Sequence, residues 1–292
     1  MDQATGLRNV MKQQSQAWEQ EKKARVITST SGKGGVGKSN TTVNLAVWLS
    51  KLGKKVIIFD ADIGLANVEV MFGAIPKYNL SDVIYRGKSI REVITAGPLD
   101  IGFISGGSGV VSLSNLTRDQ IIYLVHNLSQ LDAMADFVLI DTGAGISDSV
   151  MEFVISSPEI MLVTTPEPSS LTDSYSLLKT LHRNPNFNAA NSVINVVANK
   201  VISTEDGQAV YDKLNSVVSQ FLHGKINYLG LIPQDNAVEK AVRQQQTISL
   251  LDASAPAAKA YKLLAESLVS GENQYYQTRG GITRLLYGLL NR

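Results

Sequence analysis

Gly32-Lys33-Gly34-Gly35-Val36-Gly37-Lys38-Ser39 follows the apolar run Val26-Ile27-Thr28-Ser29-Thr30, and this junction decides the fold. The octet fits G-x-x-x-x-G-K-[ST]. In that pattern a glycine-rich turn faces its backbone N–H groups inward around phosphate oxygens, and the start of the following helix adds its dipole. Gly32, Gly34, Gly35, Val36, Gly37, Lys38, Ser39 and Asn40 are therefore candidate nucleotide contacts. Lys38 would pair with the outer phosphates, and the Ser39 hydroxyl would ligate Mg²⁺.

Further apolar runs recur at residues 55–60, 100–105, 137–141, 160–165, 193–199 and 226–232. Most are near-continuous rather than alternating, which suits strands buried on both faces of a parallel sheet. Stretches of helical period separate them at 40–52, 117–134, 169–181 and 206–221. This alternation predicts an α/β fold, a three-layer P-loop NTPase with a mostly parallel sheet of about seven or eight strands flanked by helices. One domain is expected over residues 24–270, with appended segments at 1–23 and 271–292.

Composition narrows the chemistry. The chain has 292 residues, 27 Lys+Arg, 26 Asp+Glu and no cysteine. Without thiolates, disulfide frameworks, thiolate zinc sites, iron–sulfur clusters and cysteine nucleophiles are excluded. A near-neutral balance argues against a basic nucleic-acid binder, so no nucleic-acid partner is expected. No apolar run reaches the roughly 18 residues of a membrane span, and the opening segment lacks a signal-peptide core. A cytoplasmic protein is expected.

A nucleotide–Mg²⁺ site also needs carboxylates at neighbouring strand ends. Phe137-Val138-Leu139-Ile140-Asp141 supplies one, with Asp141 expected at a Mg²⁺-bound water and Thr142-Gly143-Ala144-Gly145 as a loop near the γ-phosphate. A second run ends in Asp60-Ala61-Asp62, two acids expected to have different roles.

The extra lysine before the glycine pair, Lys33, changes the character of the loop. Residues 32–39 together with Phe59-Asp60-Ala61-Asp62-Ile63-Gly64-Leu65-Ala66-Asn67 resemble the deviant Walker A, or signature-lysine, ATPases of the MinD/ParA group. The resemblance covers roughly residues 24–270. It implies ATP/ADP and Mg²⁺ as cofactors, a homodimer with ATP and a monomer with ADP or no nucleotide. It implies that Lys33 reaches the partner's phosphates, that Asp62 positions the attacking water, and that Asp60 assists at Mg²⁺ with Asn67 near the phosphates. Asn199 resembles the family's base-contacting asparagine, and Pro233-Gln234-Asp235 its adenine-side loop, so Pro233 and Asp235 are candidate contacts. Asn40 departs from the threonine often found there. The absence of cysteine sets aside the iron–sulfur branches of the group.

The two ends differ from the body. Residues 1–25 carry five basic and three acidic side chains, and residues 271–292 carry three and one. Ile282, Leu285, Leu286, Leu289 and Leu290 fall at i, i+3, i+4, i+7 and i+8, an apolar stripe accompanied by Arg284. This composition suits an interfacial helix on anionic lipid at the inner face of the cell membrane. It also suits a last helix docked on the body, or a helix that does each in a different nucleotide state.

The opening Asp2-Gln3-Ala4-Thr5-Gly6-Leu7-Arg8 resembles the start of the FlhG (YlxH) family of flagellar-number regulators. That resemblance implies that Asp2, Gln3, Leu7 and Arg8 engage the signal-recognition-type GTPase FlhF, with Gln3 stimulating its hydrolysis, and that flagellar basal-body proteins are possible partners. The alternatives are a division-site MinD ATPase, or a nucleotide-dependent scaffold with negligible turnover.

Overall fold

The strand β1 (Arg25–Thr30), wholly buried, lies at the middle of an eight-stranded sheet and carries the phosphate loop at its C-terminal end. The computed structural model describes residues 23–62, 67–107, 117–271 and 281–290. The N-terminal candidates Asp2, Gln3, Leu7 and Arg8 lie outside the described residues, as do the side chains of Arg284, Leu289 and Leu290.

After the loop come α1 (Lys38–Lys51), β2 (Val56–Ala61), α2 (Asn67–Phe72), α3 (Leu80–Arg86), α4 (Ile90–Val93), β3 (Thr95–Ala96) and β4 (Gly102–Ser105). The chain continues through α5 (Arg118–Ser129), α6 (Leu131–Met134), β5 (Phe137–Thr142), α7 (Asp148–Ser156), β6 (Glu159–Thr164), α8 (Pro168–Arg183) and β7 (Val193–Val201). It closes with α9 (Thr204–Leu222), β8 (Asn227–Pro233), α10 (Asn236–Arg243), α11 (Ile248–Leu251), α12 (Pro256–Ser270) and α13 (Gly281–Leu290).

The strand order is β3-β4-β2-β5-β1-β6-β7-β8, and every pairing is parallel except β3 with β4. The chain leaves β1 toward β2 on one side and later fills β6 to β8 on the other. The loop after β1 thus sits where the winding reverses, at the carboxyl ends of the strands, where open α/β sheets bind ligands.

Alternate strand residues feed two opposite cores. Ile27, Ile58, Leu139 and Met161 pack under α1 and α12, through Leu45, Leu49, Tyr261 and Leu264. Val26, Ile57, Phe59 and Val138 face the other way, toward Val83, Leu124, Leu128 and Ile282. Beside that second core, Ile160, Leu162 and Val196 pack on Leu177 and Leu178 of α8 and Leu214 of α9. This is why the strands read as continuous apolar runs: both faces are covered.

The end of the sheet away from the loop is closed by a polar chain that the sequence did not announce. Arg25 makes two 2.8 Å bonds to the Glu159 carboxylate, and its guanidinium also donates to the Leu268 carbonyl at the end of α12. Asn195 Nδ2 donates to Glu159 Oε1 at 2.9 Å. A buried charge pair keeps its place only when its remaining hydrogen-bonding capacity is met in this way.

Candidate nucleotide site

The turn into α1 depends on Gly37. Its φ is +92°, and a Cβ there would lie 2.2 Å from Asn199 Nδ2. Only glycine combines that backbone with that close approach. The turn aims Lys38 inward, where its Nζ lies 2.7 Å from Asp141 Oδ1 and 3.3 Å from Ser39 Oγ. Thr42 Oγ1 donates to the same Asp141 oxygen at 3.3 Å. Asp141 is fully buried, and its second oxygen, Oδ2, has no hydrogen-bond partner.

Register brings a second carboxylate beside it. Asp60 of β2 is aligned with Asp141 of β5. Burial, and then the charge of Asp141, push the Asp60 pKa up to about 7. Backbone N–H groups of Val68 and Asp62 donate to Asp60, and with Lys38 they offset part of that rise. Asp62 stands one residue past the strand, where Asn67 Nδ2 donates to its Oδ2 at 3.1 Å. Its pKa is also raised, chiefly by burial. A Cβ on Gly143 would lie 3.3 Å from Asp62 Oδ1, so the loop after β5 passes close to this carboxylate. Gly145 N donates to Ser31 O at 2.8 Å and ties that loop to the phosphate loop.

A cavity of about 1210 Å³ opens over these residues. Gly34 to Asn40, Asp62, Asn67, Asn199, Pro233 and Asp235 all line it, so tertiary structure assembles most of the candidate set around one space. Asn199 Nδ2 donates to Val36 O at 2.7 Å, while its Oδ1 accepts from Lys200 N at 2.8 Å. The Asp235 side chain already has partners, because it accepts from Ala237 N at the start of α10 and from Ala257 N at the start of α12. Its carboxylate caps two helices, so Asp235 borders the cavity with both oxygens already engaged, beside the strand end at Pro233.

Three contributors, Glu167, Lys200 and Tyr261, were not singled out from sequence. Lys33 Nζ donates to Glu167 Oε2 at 2.9 Å and Ser169 Oγ at 3.0 Å, at the start of α8. Lys200, with φ +58°, turns its ammonium back onto Gly35 O at 2.8 Å. Tyr261 of α12 is fully buried at the cavity floor, and burial pushes its phenol pKa well above the ordinary value. Neither Glu167 nor Tyr261 belongs to a local motif, and Lys200 stands out in the sequence only as the neighbour of Asn199.

This geometry is a phosphate cradle with a buried cation and carboxylates at the ends of adjacent strands. A family model described as ParA, NUBPL iron-transfer P-loop NTPase, matches residues 22–269. The chain belongs to the ParA/MinD family of P-loop NTPases.

Among relatives of this ParA/MinD-family chain, the antiactivator FleN of Pseudomonas aeruginosa is 39% identical over 84% of the chain and 86% of FleN. The flagellum site-determining protein YlxH of Helicobacter pylori is 33% identical over 85% of the chain and 83% of YlxH. Among solved structures, the cell division ATPase MinD of Pyrococcus furiosus superposes with a TM-score of 0.67 at 26% identity, covering 85% of the chain and 99% of MinD. The family's members hydrolyse ATP. Its iron-transfer branch needs thiolates, and this member has no cysteine.

The last helix of this ParA/MinD-family chain has a clear position. Ile282, Leu285 and Leu286 are buried in the second core, against Leu124, Leu128, Leu131 and Phe153. In this structure that part of the apolar stripe faces the protein rather than solvent. No described helix is long and apolar enough to cross a membrane.

Proposed function

We propose that this chain is an ATP-driven dimerisation switch that regulates flagellar number or placement through slow, dimer-dependent ATP hydrolysis. The observation that carries the site is the paired arrangement of Lys38, Asp60 and Asp141 under the phosphate loop. A buried carboxylate oxygen without a partner, on Asp141 beneath the phosphate loop, fits a Mg²⁺–nucleotide. Ser39, Asp60 and Asp141 would hold the ion, which would neutralise charge on the phosphoryl oxygens. A MinD from Pyrococcus horikoshii of the same fold was solved with Mg-ADP.

Within the chain, Lys38 and the loop amides bind the phosphates, and Asn199 and the Pro233 strand end face the base. Asp62, oriented by Asn67, positions the attacking water. Lys33 acts across the dimer, supplying a cation where charge develops in the transition state. The flagellar role is supported by the likeness to YlxH. By resemblance, residues 1–23 stimulate FlhF, and α13 binds anionic lipid in the ATP state.

Light scattering in ADP, ATP and a slowly hydrolysed analogue tests the switch, with a dimer expected only in the last two. A monomer in all three would sink it. Steady-state hydrolysis should fall at least tenfold in Asp62→Ala and in Lys33→Ala, and unchanged rates would instead favour a scaffold. A peptide of residues 1–23 should raise the FlhF hydrolysis rate, and Gln3→Ala should abolish that effect.

A further inference from the structure

The first turn of α13 is held by a carboxylate that lies about 150 residues earlier in the chain. Asp132 of α6 accepts from Ile282 N at 2.7 Å through Oδ1, and from Thr283 N at 3.3 Å through Oδ2. The Thr283 hydroxyl donates to Oδ2 at 2.7 Å. Helix starts leave N–H groups without intrahelical partners, and a negative charge there meets the positive end of the helix dipole. Asp132 thus does for α13 what a capping residue normally does from within the helix itself.

The fit is close on both sides. Gly281 has φ +62°, and a Cβ on it would lie 2.3 Å from Asp132 Oδ1. Thr283 is buried together with Ile282, Leu285 and Leu286, so polar and apolar contacts engage on the same turns. Burial pushes the Asp132 pKa up, and the bonds from Thr283 and Ile282, with the charge of Lys23, offset part of that rise.

We infer that Asp132 is a latch that keeps α13 docked on the body, so that the C-terminal helix is withheld until this contact opens. The inference rests on the proposed membrane role of α13 for its biological meaning, but not for its test. While Ile282, Leu285 and Leu286 are buried, the helix cannot offer these side chains to lipid. Opening must give up the three bonds to Asp132 together with the packing of Ile282, Leu285 and Leu286. Once the first turn leaves, its N–H groups lose their partner and the remaining turns are anchored by packing alone.

Hydrogen exchange on the full-length protein in ADP tests this directly. Asp132→Ala removes every acceptor from the body side. Gly281→Ala blocks the approach from the helix side, and Thr283→Val removes one bond without touching α6. In each variant the amides of residues 281–290 should exchange faster, at least tenfold for Asp132→Ala, while α1, α8 and α12 keep wild-type rates. Wild-type exchange in α13 of all three variants overturns the latch. Flotation with vesicles containing phosphatidylglycerol separates the two readings. If α13 loosens and Asp132→Ala binds vesicles in ADP, latch and membrane role both stand. If α13 loosens and neither this variant nor the wild type with ATP binds vesicles, the latch stands and the membrane reading fails.

Discussion

The signature lysine Lys33 is bound within its own chain to Glu167, with 2.9 Å between Nζ and Oε2. Ser169 Oγ accepts from the same ammonium at 3.0 Å. Lys33 is one-third exposed and Glu167 is 60% exposed, so water screens the pair. The contact holds the Glu167 carboxyl below its usual range, with Lys200 adding to the effect. The lysine proposed to act on a partner's phosphates is thus parked on the rim of its own site.

Glu167→Gln should therefore ease dimer formation. Exposed ion pairs contribute little, so the ATP concentration giving half-maximal dimer should fall by a few-fold at most. Light scattering across an ATP titration measures it. A rise instead of a fall would place Glu167 among the contacts that build the dimer.

Lys38 has a structural role before any nucleotide arrives. It compensates the fully buried Asp141 at 2.7 Å. Lys38→Ala should destabilise the nucleotide-free protein by about 3–5 kcal/mol, because it strands a buried charge. Adding Asp141→Asn should recover most of that loss while nucleotide binding stays absent. Thermal unfolding of the single and double variants without nucleotide checks this, and equal stability of Lys38→Ala and wild type would contradict it.

The carboxylate pair predicts a pH dependence. The pKa of Asp60 rises from an ordinary 3.8 to about 7 in the folded, metal-free protein, chiefly through burial and then the charge of Asp141. A raised acid pKa means that the native state binds more protons than the unfolded one. The contribution of Asp60 is fully present below the unfolded value and is lost as pH climbs from about 4 to about 7. The loss is on the order of 4 kcal/mol. Urea unfolding in EDTA should show the wild type losing stability over that range relative to Asp60→Asn. Parallel pH profiles would rule this out.

Gly37→Ala joins two penalties, a left-handed backbone and a Cβ 2.2 Å from Asn199 Nδ2. Nucleotide binding should be lost, and stability should drop by about 1–3 kcal/mol. Calorimetric titration with ADP and a melting curve measure the two effects separately.

How much of this was legible in advance follows from the range of each interaction. The phosphate loop, the carboxylate ends of β2 and β5, and the apolar strands are local patterns, and each stands where the spacing places it. The eight-strand, mostly parallel sheet agrees with the expected architecture. Only β3 runs antiparallel, a two-residue edge too short to leave a periodic signal. Glu167, Lys200 and Tyr261 escaped notice because their significance comes from proximity to residues more than 130 positions away, and Arg25–Glu159 for the same reason.

The C-terminal stripe shows the boundary most clearly. Periodicity determined that residues 282–290 would form a helix with one apolar face, since i, i+3 and i+4 spacing fixes which side chains share a side. It could not determine what that face covers, because lipid and a protein groove are equally apolar. Tertiary structure decided that question for Ile282, Leu285 and Leu286, by bringing the Asp132 carboxylate to the N–H groups that open α13. The phosphate chemistry was written in adjacent residues. The state of the tail depends on two segments that meet only when the sheet and its covering helices have formed.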